Sequence, residues 1–285
     1  MEKFISHSHM ADDEPAVSLP VTVYRKGEAP KIVNQWVVEE VPVTLFFNGE
    51  QMITLLSTGR HLDELAIGFF LAEGLIHDRK ALKKVIVDRE RGIVHIHYEG
   101  TIASREKFWM KRAITSGCAK GSVLCEVIDS LLERPLNDEL KIEANTMWIL
   151  MEKLNHLSDT YKRTHGVHNC ALAEVTGEIA TAKDGQPLYR YDIGRHNALD
   201  MLIGRAFLDE LPLQDKIIVT TGRLTSEVVI KAAQAGIPVL VSRHAATRLA
   251  VELASTLNLT LVGYVRATQM TVYHDPGRIV TREQD

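Results

Sequence analysis

Between residues 216 and 266 short β-branched runs alternate with helix-patterned segments. KIIVTTG, TSEVVIKAAQAG, IPVLVS, TRLAVELASTLN and LTLVGYVR follow one another with almost nothing between them. Such an order buries its apolar faces when each helix crosses back over a parallel sheet. The same grammar extends upstream: HNALDMLIGRAFLDEL has helical periodicity, HNCALAEV with GEIATAK reads as a strand pair, and MTVYH supplies a closing strand. The expectation is an α/β C-terminal domain over residues 161–285.

Residues 19–160 read differently, as a smaller, β-rich α+β portion. TVYRKG, VNQWVVEE and VPVTLFF are strand-like, and Asn48-Gly49 between apolar runs is a strong hairpin signal. Leu62, Leu65, Ala66, Phe69 and Ala72 mark a helix in GRHLDELAIGFFLAEGLI. KVIVDRERGIVHIHYEG reads as a second hairpin, with His95 and His97 facing solvent. SVLCEVIDSLLER and EANTMWILMEKLNHL read as helices joined by a turn around Pro135. Residues 1–18 read as a loose, disordered tail.

The start lacks the apolar core of a signal peptide and no run is long enough to span a bilayer, so the expected location is cytoplasmic, away from membranes. Three cysteines argue against a disulfide framework and suit a reducing compartment. A net charge of −4 gives no global pull toward nucleic acid, so an anionic ligand has to meet locally placed basic groups.

Ligands of open α/β sheets bind beyond the carboxyl ends of the strands. Two junctions there are polar: Thr220-Thr221-Gly222-Arg223-Leu224-Thr225-Ser226, and Ser242-Arg243-His244-Ala245-Ala246-Thr247. Hydroxyls, an arginine and free N–H groups at a helix start favour a phosphate. Equally, Thr225 and Thr247 can be plain N-caps beside solvated arginines. A third cluster, Tyr191 to Asp200, packs Asp192, Arg195, His196 and Asn197 around Gly194; its structural alternative is a cap by Asp192 or Asn197 with Arg195 paired to Asp192. In the fourth, Thr164 to Cys170, the spacing of His165, His168 and Cys170 fits no zinc motif, and Cys170 reads as a small core hydrophobe. No metal site is expected.

Cys118 in ITSGCAKGSVLCE has Lys111, Arg112 and Lys120 nearby and a helix opening after it, features that lower a thiol's pKa. Composition alone leaves it balanced between a reactive and an inert thiol. Cys125 reads as part of the following helix.

Taken together, DELAIGFFLAEGLI, TSGC, HGVHNCALA, YDIGRHNALDMLIGRA, TTGRLTSEVVIKAAQAGIPVLVSRHAATRLAVELA and NLTLVGYVR resemble the FdhD family, accessory sulfurtransferases of formate dehydrogenase. The resemblance implies a C-terminal domain similar to the cytidine-deaminase fold, a homodimer, and a persulfide relay. In that relay a cysteine desulfurase donates sulfur to Cys118, which passes it to the molybdenum bis-molybdopterin guanine dinucleotide cofactor destined for formate dehydrogenase. Cofactor contacts are expected at Tyr264, Val265, Arg266, Ala267, Thr268 and Gln269. The polar junctions add Arg195, His196, Thr221, Gly222, Arg223, Ser242 and Arg243. Two departures stand out. Where many members carry C-x-x-C this chain has Gly121, and the Gly/Arg-rich text after the last parallel strand reads ATQ. A cofactor-binding chaperone without sulfur transfer is the alternative. A zinc deaminase, the other rival, needs both H-x-E and P-C-x-x-C, and the chain is read as carrying neither.

Overall fold

The computed structural model describes residues 5–7, 15–100, 128–137 and 139–281. Two sheets carry most of it. The first has five strands in the order Ile5–His7, Leu82–Asp88, Ile93–Tyr98, Val41–Phe47, Glu50–Ser57. Asn48 and Gly49 both take positive φ, as a two-residue hairpin turn requires. In the second hairpin Val94, Ile96 and Tyr98 are buried; His97 is exposed, and His95 is half-buried with its ring 4.6 Å from that of Phe46. Ile5–His7, inside the stretch expected to be loose, runs parallel to Val85–Val87 at the sheet's edge.

The second sheet has six strands in the order Tyr189–Asp192, His168–Ala173, Ile217–Thr220, Val239–Ser242, Thr260–Arg266, Gln269–His274. Its three central crossover strands are parallel, as the alternation demands, while His168–Ala173 is antiparallel to both neighbours and the sheet is mixed. Ile217–Thr220 and Val239–Ser242 are buried throughout because both faces are covered. Leu172, Ile218, Leu240 and Leu261 pack under the helices Arg195–Leu208, Ser226–Gln234 and Arg248–Thr256. Ala171, Val219, Val241 and Val262 face the opposite way, onto Met147, Leu150 and Leu154 of the helix Ala144–Leu157.

One strand differs from expectation. GEIATAK pairs with its neighbours only through the isolated bridges Ala173–Ile179 and Thr181–Pro187, and the strand beside His168–Ala173 is Tyr189–Asp192. Turns at Gly177 and Gly185, both with positive φ, fold the intervening chain back before a ladder can extend.

The two sheets are joined through helices. Leu62–Ala72 covers the first sheet with Leu65, Phe69 and Phe70, and its other side lies along Arg195–Leu208, whose Met201 enters the first core. Arg190 clasps Glu64 in a two-pronged pair, Nε to Oε2 at 2.5 Å and Nη2 to Oε1 at 2.7 Å. Separately, Ala16–Val23 and Lys31–Val38 form a two-stranded ribbon with Val17, Leu19, Val33 and Val37 exposed.

Candidate functional site: a cationic crevice at the carboxyl edge

The first two parallel strands end at Thr220 and Ser242, the third leaves its parallel pairing after Val262, and the antiparallel strand begins there at His168, so their loops share one edge. Hydroxyls brace that edge. Thr220 Oγ1 donates to Asn169 O at 3.0 Å, Thr221 Oγ1 accepts from Asn169 N at 2.9 Å, and Ser242 Oγ donates to Gly222 O at 2.6 Å while accepting from His244 N. Thr221 and Ser242, expected as ligand contacts, are therefore engaged in holding the loops, and both are buried.

The loops carry four guanidiniums. Arg195 lies across Gly222 so closely that a Cβ there would sit 2.8 Å from its own Cβ. That contact requires Gly222 to be glycine and turns Arg195 toward Arg223. Burial lowers the Arg195 pKa, and the neighbouring Arg223 lowers it further. The buried Nε of Arg195 has no hydrogen-bond partner among the described residues, and Arg223 makes no ion pair there. Arg243 donates to Asn155 Oδ1 at 3.1 Å, and Arg266 stacks on Tyr264 at 5.4 Å. Glu227 offsets part of the Arg195 charge from a distance, but four guanidiniums with no salt bridge among the described residues still repel one another, so the arrangement favours an anion.

Asp192, the acid expected to pair with Arg195, does not. It is fully buried and accepts from Ser57 Oγ (2.7 Å), Thr58 N (2.8 Å), Thr58 Oγ1 (3.0 Å), Gly194 N (2.9 Å) and Asn197 Nδ2 (2.8 Å). These five bonds tie the first-sheet turn at 57–59 to the start of the Arg195 helix. They leave the arginine free of its sequence neighbour. Asp192→Ala strands several buried donors, and we expect a loss of about 2–3 kcal/mol in folding stability, read by urea denaturation.

The two threonines expected as caps differ. Thr247 Oγ1 accepts from Ala250 N at 3.4 Å, whereas the Thr225 side chain makes no cap bond and lies 3.5 Å from His196 Nε2. His196 Nε2 also stands 3.1 Å from Glu227 Oε2. Burial, together with Arg195 and Lys231, pushes the His196 pKa down to about 3, while burial raises that of Glu227. The contact is thus a hydrogen bond to a neutral imidazole. Beneath it Lys231 Nζ binds both oxygens of the fully buried Asp200, at 2.6 and 2.7 Å. Glu227 and Lys231 are missed in the sequence because nothing local marks them, and the approach of two helices brings them to His196; His168, weighed in the sequence only for a metal site, comes to it from the start of a strand.

Among the last-strand candidates, Tyr264 is exposed with φ of 50°, an unusual backbone state for a side-chain-bearing residue that turns it out of the sheet. Val265 points into the core, Ala267 and Thr268 form an exposed turn beyond the strand end, and Gln269 opens the next strand, also exposed. Cys170 is buried, and burial pushes its thiol up to about 12, far from reactive. Cys118, Cys125, Lys111, Arg112, Lys120 and Gly121 lie outside the described residues. Among the described residues no cluster of three His, Cys, Asp or Glu side chains is placed to hold a metal; contrary to the expectation that no H-x-E occurs, one stands at His97-Tyr98-Glu99, at the end of the strand Ile93–Tyr98 in the other sheet. No described helix is long and apolar enough to cross a membrane.

Residues 38–280 match the model of the FdhD/NarQ family. The sulfur carrier protein FdhD of Bacillus subtilis (strain 168) is 36% identical over 256 residues, covering 90% of this chain and 94% of that protein. Its counterpart from Staphylococcus aureus (strain MRSA252) is 34% identical over 267 residues, covering 93% and 97%. In three dimensions the chain is similar to a crystal structure described as a formate dehydrogenase accessory protein, from Desulfotalea psychrophila. The TM-score is 0.74 at 25% identity, with 94% of this chain and all of that one covered.

Proposed function

The chain belongs to the FdhD/NarQ family, and from that membership we propose that it is a sulfur carrier serving a formate dehydrogenase. Cys118 is the carrier thiol. Its thiolate attacks the terminal sulfur of a desulfurase persulfide, leaving Cys118–S–SH and releasing the donor's cysteine thiolate. The acceptor is the molybdenum bis-molybdopterin guanine dinucleotide cofactor, bound as substrate through its diphosphates. The observation that carries this reading is the clustering of Arg195 and Arg223 at the carboxyl edge, where neither guanidinium forms a salt bridge among the described residues, the buried Nε of Arg195 has no partner, and Glu227 is the carboxylate within electrostatic reach of Arg195.

Each side chain then has a task. Arg195, Arg223 and Arg243 neutralise diphosphate charge, Arg266 and the outward-turned Tyr264 offer a charged and an aromatic face, and neutral His196 is a candidate hydrogen-bond partner. Thr221, Gly222 and Ser242 shape the cradle, as do the backbones of Val265, Ala267, Thr268 and Gln269. The cytidine-deaminase-like reading of the second sheet is part of this proposal, supported by its parallel strands with helices on both faces. So are a cytoplasmic location and a homodimer. A two-stranded ribbon is marginal by itself in water; one flank of this one meets Arg163 over the Trp36 ring, and the exposed Val17, Leu19, Val33 and Val37 support a partner copy.

The crevice is tested by calorimetry with GDP. Arg223→Ala should weaken binding by about 1.5–3 kcal/mol, typical of a charged hydrogen bond; Arg243→Ala should fall at the lower end because Asn155 already engages it. Unchanged affinity in both variants removes these loops from the site. A second reading, a chaperone that holds the cofactor without moving sulfur, is favoured by Gly121 standing where many relatives have a second loop cysteine.

A further inference from the structure

Two histidines stand among the arginines of the crevice, and neither ring makes a hydrogen bond among the described residues. His168, half-buried at the start of the antiparallel strand, faces Arg195 from the helix start, Arg223 from the loop after Thr220, His244 from the loop after Ser242, and Asp192 from the adjoining strand. Asp192 is already saturated by its five donors. His244 faces Arg243, Arg223 and Arg266. Its backbone is pinned on both sides, N–H to Ser242 Oγ at 3.0 Å and C=O from Tyr264 N at 3.1 Å, which fixes the point from which its exposed ring reaches the crevice. Contrast His196, whose ring is partnered by Glu227.

We infer that His168 and His244 are anion-contacting residues that take up protons when a diphosphate-bearing ligand enters the crevice. Without a ligand a protonated ring would add a cation beside several arginines, so burial and those arginines hold both rings below the ordinary histidine value, against a smaller opposing pull of Asp192 on His168. A diphosphate reverses the local sign. The same rings, placed beside phosphate oxygens, then gain a charge-assisted hydrogen bond by protonating. The liganded pKa values thus exceed the unliganded ones, protons are taken up between them, and affinity rises as pH falls through that interval. Above the liganded values the gain is lost. The chemical consequence is selectivity for multiply charged diphosphates over singly charged or neutral ligands.

This inference rests on the crevice being an anion site and is tested on the full chain with GDP as the probe. Calorimetry near pH 7 in two buffers of different ionisation enthalpy counts the protons taken up. The wild type should take up more than His168→Gln or His244→Gln alone, and the double variant fewest. The nucleotide's own phosphate titration is common to all and cancels in the difference. Between pH 8 and pH 6 the wild-type affinity should gain about tenfold relative to the double variant, one proton's worth per unit shift. Proton NMR of the wild type should show two histidine resonances whose midpoints rise when GDP is added. Equal proton counts in wild type and double variant, both binding GDP, with no midpoint moved, overturn the inference while leaving the anion site in place. Absence of GDP binding by the wild type overturns the anion site itself, and this inference with it.

Discussion

Cys118→Ala abolishes uptake of labelled sulfur from a cysteine desulfurase, and with it activation of formate dehydrogenase, whereas Cys125→Ala leaves both intact. The expected contrast is a fall to background, at least about 10²-fold, because Cys118 is the one proposed carrier thiol and Cys125 reads as part of the following helix. Cys170 cannot substitute: it is 1% exposed and its thiol is pushed to about 12, so neither access nor thiolate is available. Cys118 carries Lys111, Arg112 and Lys120 in its sequence neighbourhood, the charges that favour thiolate. GDP affinity should survive Cys118→Ala, because the crevice arginines belong to other loops. Mass spectrometry of the wild type after incubation with desulfurase and cysteine should place one added sulfur on Cys118. Three outcomes separate the readings. Loss of uptake with retained GDP binding supports a single-thiol relay, full activation by Cys118→Ala ends it, and activation by a wild type that never acquires sulfur leaves the chaperone.

How much of this was legible in the residues follows from the range of the forces involved. The crossovers from residue 216 are readable because strands covered on both faces are continuous apolar runs, and helices covered on one face are periodic. The junction arginines are readable because a strand's carboxyl end and a helix start are adjacent in sequence. Tyr189–Asp192 is not, since its pairing with Ala171–His168 competes with a nearer candidate, GEIATAK, that only the turns at Gly177 and Gly185 disqualify. Nor is the role of Asp192. Its local alternatives were Arg195 and the helix N-terminus, yet three of its five bonds come from Ser57 and Thr58, more than 130 residues away. The hydroxyls of Thr221 and Ser242 look like ligand donors in a string and act as braces for a similar reason: Thr221 meets Asn169 of another strand and Ser242 meets Gly222 of the neighbouring loop, both distant in sequence. His168, His244 and Glu227 gain significance only from convergence at one edge.

Gly204→Ala should lower folding stability by about 3–5 kcal/mol and the thermal midpoint by roughly 6–15 °C. Its sign separates two effects. Gly204 and Gly68 lie inside helices, where alanine is intrinsically favoured over glycine by about 1 kcal/mol, so propensity alone predicts stabilisation of both variants. Packing predicts the reverse. A Cβ at Gly204 would meet Glu64 O at 2.0 Å, and one at Gly68 would meet Asp200 O at 1.8 Å. Those obstacles are backbone carbonyls and cannot rotate aside, so the helices Leu62–Ala72 and Arg195–Leu208 have to separate. Separation loosens Met201 in the first core and pulls Glu64 from Arg190. It also shifts the helix whose first turn carries Arg195 and His196, so Gly204→Ala protein that still folds should bind GDP more weakly. The double variant with Gly68→Ala should cost less than the two singles added together, because one separation relieves both contacts. A thermal midpoint that stays level or rises in Gly204→Ala would show that propensity wins and that the two helices are not held at backbone contact.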